Sequence, residues 1–346
     1  MKDAVKQLSG TRVFVGLSGG VDSAVSAALL KRAGADVYGV FVKGWYPPGL
    51  PCTWAEDRRD AMRVAAALNI PFTTLDASGE YKQGVIDYLL REYRAGRTPN
   101  PDIMCNREVK FGALYRFVRE HGGLLATGHY ARAEEGKLYR GIDPAKDQSY
   151  FLWAVPGNVL KDVVFPLGEQ RKEETRAQAR TFSLPVAEKR DSQGICFLGA
   201  VSVDDFLRAE FGSEPGKAVD ADGKEVGAHD GVLLVTLGER VSLKNAAPGP
   251  WYVVKKDVVT NTLTVAKERL GSVPISQISL EEVNLLGTTD GVLEAQYRYH
   301  GPIIRGTFDA SSATFTPREP LPEPIAAGQS LVLYRDNECI GGGIMR

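Results

Sequence analysis

Residues 13–23, Val13-Phe14-Val15-Gly16-Leu17-Ser18-Gly19-Gly20-Val21-Asp22-Ser23, constrain the chain more than any other stretch. Residues 13–17 form an apolar run bounded by small residues, which predicts a short buried strand. Ser18-Gly19-Gly20 follows as a turn in which a backbone without side chains can approach a ligand closely. Asp22-Ser23 then precedes Ala24, Val25, Ala27, Ala28, Leu29 and Leu30, read as a buried helix. A glycine turn feeding a helix N-terminus points several free N–H groups and the positive dipole end at one spot, a setting that suits phosphate. It is not a Walker loop, because the Lys-Ser/Thr after the glycines is missing. The plainer alternative is a glycine turn that only joins strand to helix.

The first half of the chain alternates strand and helix. Residues 36–42, 71–75 and 124–127 read as strands, the last running into Gly128-His129. Residues 56–68, 85–93 and 108–119 read as helices, the third with Phe111, Leu114, Tyr115 and Val118 on one face. Such alternation predicts a doubly wound parallel sheet with helices on both faces. Ligands of such sheets sit at the carboxyl ends of the strands, where Ser18, Lys43 and His129 could line one crevice. After a helix at 203–211 the texture becomes β-rich, with short runs at 217–226, 232–237, 251–255, 262–265 and 278–283. A further β-rich block comprises 293–299, 303–308, 330–334 and 339–344, with a loop or edge at 317–324. The expected organisation is an α/β catalytic domain over 1–204, a small central β-rich domain over 205–274 and a C-terminal β-barrel over 275–346.

A length of 346 residues fits two or three domains, and a hydrophobic fraction of 43% argues against disorder. No run of 18 apolar residues predicts a membrane span, and residues 1–10 lack an apolar signal core, so a cytoplasmic protein is expected. The net charge of −1 does not advertise a nucleic-acid partner. Locally, residues 88–119 carry Arg91, Arg94, Arg97, Arg107, Lys110, Arg116 and Arg119 against Glu92, Asp102 and Glu108. That patch is either a phosphate-facing surface or a solvated helix face.

The four cysteines, Cys52, Cys105, Cys196 and Cys339, form no C-x-x-C pair, so a zinc or redox framework has little support. Cys105 closes the proline-stiffened stretch Thr98-Pro99-Asn100-Pro101-Asp102-Ile103-Met104-Cys105, beside a possible helix N-terminus that would favour a thiolate. Asp102 could accept or deliver a proton there. Cys196 lies in a second polar loop, Asp191-Ser192-Gln193-Gly194-Ile195-Cys196. Each cysteine alone reads equally as a buried small hydrophobe, and packing is the expected role of Cys52 and Cys339.

Taken together, G-L-S-G-G-V-D-S, T-P-N-P-D-I-M-C-N-R-E-V-K-F, A-T-G-H-Y-A-R, K-D-Q-S-Y-F-L and D-S-Q-G-I-C-F-L-G resemble, in this order, the tRNA-specific 2-thiouridylase family. Their first motif is similar to the pyrophosphate loop of the PP-loop ATP pyrophosphatases. The resemblance spans nearly the whole chain. It implies that ATP, with Mg²⁺, adenylates the C2 oxygen of the wobble uridine in tRNA, and that a persulfide then replaces that oxygen by sulfur. It implies that Gly16, Leu17, Ser18, Gly19, Gly20, Val21, Asp22 and Ser23 hold ATP, with Val42 against adenine and Gly128 at the nucleotide. Asn100, Pro101 and Asp102 would meet the target base, with His129 against the RNA. Cys105 would be the catalytic cysteine and Cys196 the persulfide carrier, and the two would form a disulfide each cycle. Lys146, Asp147, Gln148, Arg298 and Tyr299 would contact tRNA, with Gln329 near the anticodon loop. A persulfide-carrying donor or cysteine desulfurase relay would supply sulfur, and no prosthetic group or resident metal site is implied.

The chemistry agrees with these residue types. Oxide leaves poorly from a pyrimidine carbon, whereas AMP leaves well, and a persulfide is a good sulfur nucleophile. One departure concerns residues 236–246, T-L-G-E-R-V-S-L-K-N-A, where the family pattern T-L-G-Q-R-x-G-L-G-I-G has more glycines. Two rivals remain at this level: an AMP-forming amide synthetase that needs neither cysteine, and an RNA-binding protein without turnover.

Overall fold

The computed structural model describes residues 8–47, 54–190, 202–269, 271 and 275–346. Its first layer is a parallel sheet built from β1 (Arg12–Gly16), β2 (Asp36–Lys43), β3 (Phe72–Asp76), β4 (Leu124–Ala126) and β7 (Val163–Val164), in the order β3-β2-β1-β4-β7. Val13 pairs with Val37 on one side and Leu124 on the other. Val13 and Val15 are buried in one core, and Phe14 in the opposite one. That two-faced burial is why β1 reads as a continuous apolar run. The order reverses direction at β1, so the crevice between the ends of β1 and β4 is the switch point expected of a doubly wound sheet.

Helix α1 (Val21–Arg32) and α2 (Trp54–Ala67) pack on one face. A helical run over 78–94 (α3) and another over 101–120 (α4) pack on the other. Both contain π-helical segments, Lys82–Asp87 and Cys105–Ala113. The sequence reading starts the fourth helix at 108, but it begins at Pro101. Asn100 caps it by accepting from the N–H groups of Asp102 (3.1 Å) and Ile103 (3.4 Å), and Pro at the first helical position has no N–H to lose. Helix α5 (Lys172–Thr181) was not foreseen, and α6 (Val203–Phe211) was.

The central sheet is β10-β11-β12-β8-β9, from β8 (Gly216–Val219), β9 (Glu225–His229), β10 (Arg240–Val241), β11 (Trp251–Asp257) and β12 (Thr262–Ala266). It closes over Ala218, Val232, Trp251, Val253, Leu263 and Val265. The expected strand at 232–237 is a tight turn instead, Val232–Leu234, because the Val232 N–H donates to Asn261 Oδ1 (3.2 Å) and that of Leu234 to Gly231 O (3.2 Å).

The last block is a closed six-stranded barrel, ordered β13-β16-β15-β14-β17-β18 and sealed by β13 against β18. Its strands are β13 (Ile278–Leu285), β14 (Leu293–Gln296), β15 (Ile303–Asp309), β16 (Thr314–Pro317), β17 (Ser330–Arg335) and β18 (Glu338–Met345). A hairpin from the first half, β5 (Ala131–Glu134) and β6 (Lys137–Arg140), extends this barrel, since Tyr139 and Leu138 pair with Glu338 and Cys339. Its two-residue turn, Glu135-Gly136, has positive φ at both positions (51° and 85°), which matches the strand twist. No described helix is long and apolar enough to cross a membrane.

The barrel is fastened to the α/β unit by buried polar contacts. Asn284 donates its amide to the carbonyls of Trp153 (2.7 Å) and Val155 (3.2 Å), and the Tyr150 hydroxyl donates to Ser330 O (3.0 Å). Gly342 lies against the Trp153 indole, where a Cβ would come within 3.1 Å of the ring. Asn284→Ala strips two buried carbonyls of their donor. It should lower the chemical-denaturation midpoint by the equivalent of about 1–3 kcal/mol with unchanged far-UV circular dichroism.

Candidate functional site

The loop between β1 and α1 is shaped by absent side chains. Gly19 has φ +77°, and a Cβ there would sit 2.4 Å from the Asp57 carbonyl oxygen. A Cβ on Gly128, after β4, would sit 2.8 Å from the backbone nitrogen of Ser23. Gly20 is the extended N-cap of α1 and no side chain caps the helix, so the first-turn N–H groups are left for a ligand. Two serines lock the turn. Ser23 Oγ accepts from the Ser18 N–H (3.2 Å) and donates to Gly20 O (3.2 Å), and Ser18 Oγ accepts from the Gly20 N–H (3.3 Å). Leu17, Val21 and Val42 are buried, so Leu17 and Val21 offer the turn their backbone. Leu114 of α4 reaches to 3.3 Å from where a Gly16 Cβ would be. Free backbone N–H groups at a helix N-terminus in this form are suited to a polyanion.

Sequence reasoning missed the residues around Asp22. Lys172 Nζ lies 2.7 and 2.8 Å from the two carboxylate oxygens of Asp22. The buried Tyr130 hydroxyl lies 3.0 Å from both Asp22 Oδ1 and Thr175 Oγ1. Lys172 opens α5, whose N-terminus is closed by Glu174 accepting from the Arg171 N–H at 2.7 Å. A Glu three positions after the cap was the available signal.

Helix α4 carries the second group. Asn100, Pro101 and Asp102 form its first turn, half-buried. Cys105 follows in the second turn and is fully buried. The Asn106 amide donates to Phe151 O (2.9 Å), while its buried carbonyl oxygen has no hydrogen-bond partner among the described residues. Lys110 follows five residues after Cys105 in the same π-helical segment, one backbone hydrogen-bond step along it.

Lys110 Nζ in turn meets His129 Nε2 at 3.5 Å, and His129 Nδ1 lies 2.8 Å from Thr127 Oγ1. An ammonium only donates, so Nε2 accepts and Nδ1–H donates to the threonine. His129 is buried against Phe111 and Phe165. Burial first, then the Lys110 charge, hold its pKa well below the usual value.

The barrel touches this helix from the other end. The Thr98 N–H donates to Ala327 O (2.8 Å), and Gln329 Nε2 donates to Thr98 O (2.7 Å). Arg97 joins Glu92 to Glu281, and Arg107 reaches Glu282 at 2.6 Å. Gln329 is thus spent on the loop that precedes Asn100. Asp147 is buried and accepts from the N–H groups of Gly141 (2.9 Å) and Ser149 (3.1 Å), while Gln148 Oε1 accepts from the Tyr130 N–H (3.0 Å). These two side chains hold the loop that carries Lys146. Arg298 is exposed and pairs with Glu323 at 2.8 Å, and Tyr299 packs its ring on Phe151 at 4.5 Å.

The basic stretch 88–119 is largely neutralised within the fold. Arg91, Arg97, Arg107, Arg116 and Arg119 each pair with a carboxylate. Cys196 and Cys52 lie outside the described residues. The chain entering the Cys196 loop is anchored beside the glycine turn. Lys189 binds Asp57 (2.9 Å) and Asp60 (2.8 Å) of α2, the helix that Gly19 abuts. Cys339 is fully buried in β18, and burial pushes its thiol up to about 12, so it packs and does not react.

The His129 environment makes a pH prediction. Below the ordinary histidine pKa the unfolded chain binds a proton that folded His129 refuses, so stability falls as pH falls below about 6.5. His129→Gln should lose about 1 kcal/mol less stability than the parent between roughly pH 6.5 and 5.5, read from denaturant midpoints at each pH. Parallel losses in the two proteins would place His129 in a solvated setting.

Comparison with known proteins supplies the family. Three sequence-family models match in succession: "tRNA methyl transferase HUP domain" over residues 11–200, "tRNA methyl transferase PRC-barrel domain" over 204–267 and "Aminomethyltransferase beta-barrel domain" over 277–345. The tRNA-specific 2-thiouridylase of Hahella chejuensis is 41% identical, with 96% of this chain and 97% of that protein covered. That of Shewanella halifaxensis is 40% identical over 97% and 96%, and that of Enterococcus faecalis 39% over 97% and 96%. With such identity along nearly its whole length, and with the doubly wound sheet and closed barrel in place, the chain belongs to the tRNA-specific 2-thiouridylase family.

Proposed function

We propose that this protein thiolates the wobble uridine of tRNA, using ATP to activate the C2 oxygen and a persulfide on Cys196 as the sulfur source. What supports the reading is a short chain of contacts that links the glycine turn to the cysteine-bearing helix. Gly128 closes onto the start of α1 at the glycine turn, and its neighbour His129 meets Lys110, one π-turn from Cys105. A loop that grips only a nucleotide needs no cysteine-bearing helix beside it. Matched descriptions that speak of methyl transfer fit less well, because nothing in methyl transfer calls for a pyrophosphate-type loop.

The steps balance. The uridine O2 attacks the α-phosphorus of ATP, forming a C2–O–P bond and releasing pyrophosphate. The N–H groups at the head of α1 hold the phosphates. Asn100, Pro101 and Asp102 present the base, and Asp102 is the group placed to handle its N3 proton. The outer sulfur of the Cys196 persulfide then attacks C2, and AMP departs with the former uridine oxygen. The Cys105 thiolate attacks the inner sulfur, breaking the S–S bond. This leaves 2-thiouridine and a Cys105–Cys196 disulfide, which a cellular thiol reduces. Such a cycle belongs in a reducing compartment. Six residues separate the Lys189 anchor from Cys196, and the seven chain steps reach up to about 25 Å.

Mg²⁺ would enter with the nucleotide. Magnesium commonly takes one or two carboxylates plus phosphate oxygens. Asp22 is the carboxylate in the turn, and no cluster of three ligating side chains occurs among the described residues. Magnesium would neutralise phosphate charge there. We assign Lys146, Arg298 and Tyr299 to the tRNA surface, with Asp147 and Gln148 holding the first of them in place. Gln329 acts from behind, steadying Thr98 and hence the Asn100 turn.

Cys105→Ala should abolish 2-thiouridine in tRNA, measured by nucleoside mass spectrometry, while tRNA-dependent pyrophosphate release persists. Unchanged thiolation would overturn the proposal. Gln329→Ala should lower kcat by about 10- to 100-fold through misplacement of the base-facing turn, with tRNA affinity changed less than threefold in a filter-binding measurement. A loss confined to tRNA affinity would return Gln329 to the RNA surface.

A further inference from the structure

The pair formed by Lys172 and Asp22 is unexplained by local stability. Asp22 is in the first turn of α1, where the helix already favours an acidic side chain. Its side chain is 32% exposed and could remain solvated, yet Lys172, only 12% exposed, covers both carboxylate oxygens. The carboxylate also stands in the turn where a polyanion is expected to bind and would repel it. A cation at this spot removes that repulsion.

The surroundings allow the cation to change partners. The backbone of α5 is pinned, because the Lys172 N–H donates to Asp143 Oδ2 at 3.0 Å and Arg171 is tied to Glu174. The lysine stem, with four single bonds, can then move its Nζ without moving the helix. If it leaves, Asp22 keeps a partner in Tyr130, whose hydroxyl is 3.0 Å from Oδ1. Tyr130 is itself held by its N–H to Gln148 and by Thr175. A carboxylate with a second partner in waiting is what an exchangeable ion pair requires, whereas a purely structural pair needs none.

We propose that Lys172 is a ligand of the nucleotide's polyphosphate, stored on Asp22 until the nucleotide arrives. This rests on the reading of the glycine turn as the ATP site. The binding step involves no covalent change: Nζ leaves the Asp22 oxygens for phosphate oxygens, and Tyr130 retains Asp22.

Calorimetric titration of the full-length protein with ATP, inorganic pyrophosphate and AMP tests this, without tRNA or turnover. Lys172→Met should weaken ATP and pyrophosphate binding about 10- to 100-fold, as loss of a charged hydrogen bond predicts, and leave AMP within about twofold. Lys172→Arg should restore part of the ATP affinity. Because Lys172→Met leaves Asp22 without its cation, the neutral double variant Asp22→Asn/Lys172→Met guards against a folding or repulsion effect, and it should show the same loss of preference for ATP over AMP. Parent-like ATP affinity in either variant, or equal losses for ATP and AMP, would reduce Lys172 to a strut between α1 and α5. If the parent protein binds neither ATP nor pyrophosphate, the ATP-site reading fails and this inference with it.

Discussion

The steric contact between Gly128 and the first turn of α1 is the constraint on which the site depends. A single methyl group at residue 128 would fall 2.8 Å from the Ser23 nitrogen and 2.9 Å from the Asp22 carbonyl carbon, both backbone atoms that cannot step aside. Closing that distance brings the exit of β4 onto the entry of α1. It sets His129 and Tyr130 on either side of the crevice, one reaching Lys110 of α4 and the other Asp22 of the glycine turn. The two faces of the parallel sheet, each with its own core, therefore meet at one point. Chemistry that needs a nucleotide and a thiol together can be placed there without either helix leaving its layer.

The C-terminal barrel is part of the same construction. It accepts a hairpin from the first half of the chain along β18, and it holds Thr98 from both backbone sides through Ala327 and Gln329. Arg97 and Arg107, which the sequence leaves open as a phosphate-facing surface or a solvated helix face, are turned inward onto Glu281 and Glu282 of β13. Two of the basic residues in that stretch thus join the barrel to the region of α3 and α4. A partly desolvated pair of this kind contributes more to orientation than to net stability.

What could be read from the chain followed physical strength of signal. The β1–α1 turn was legible because few sequences but a glycine turn can make it, and the parallel sheet because its strands are buried on both faces. The capped start of α4 at Pro101 was missed by seven residues, since the proline was weighed as a stiffener and not as a helix opener. The β5–β6 hairpin and helix α5 are short and polar, and their places are set by partners far away in sequence, Glu338 and Asp22. For the same reason Lys172 carries no motif of its own. The inward turn of Asp147 and Gln148 was likewise invisible, because both residue types are mostly exposed and nothing local in the chain marks these two as inward-facing.

The central claim is that the uridine oxygen leaves as part of AMP, displaced by sulfur at a nucleotide bound in the glycine turn. Thiolation of tRNA labelled with oxygen-18 at uridine C2, followed by mass spectrometry of the nucleotide products, tests it most directly. The account predicts one labelled oxygen in AMP for each 2-thiouridine formed and none in pyrophosphate. Label released to water, or unlabelled AMP alongside full thiolation, would contradict it.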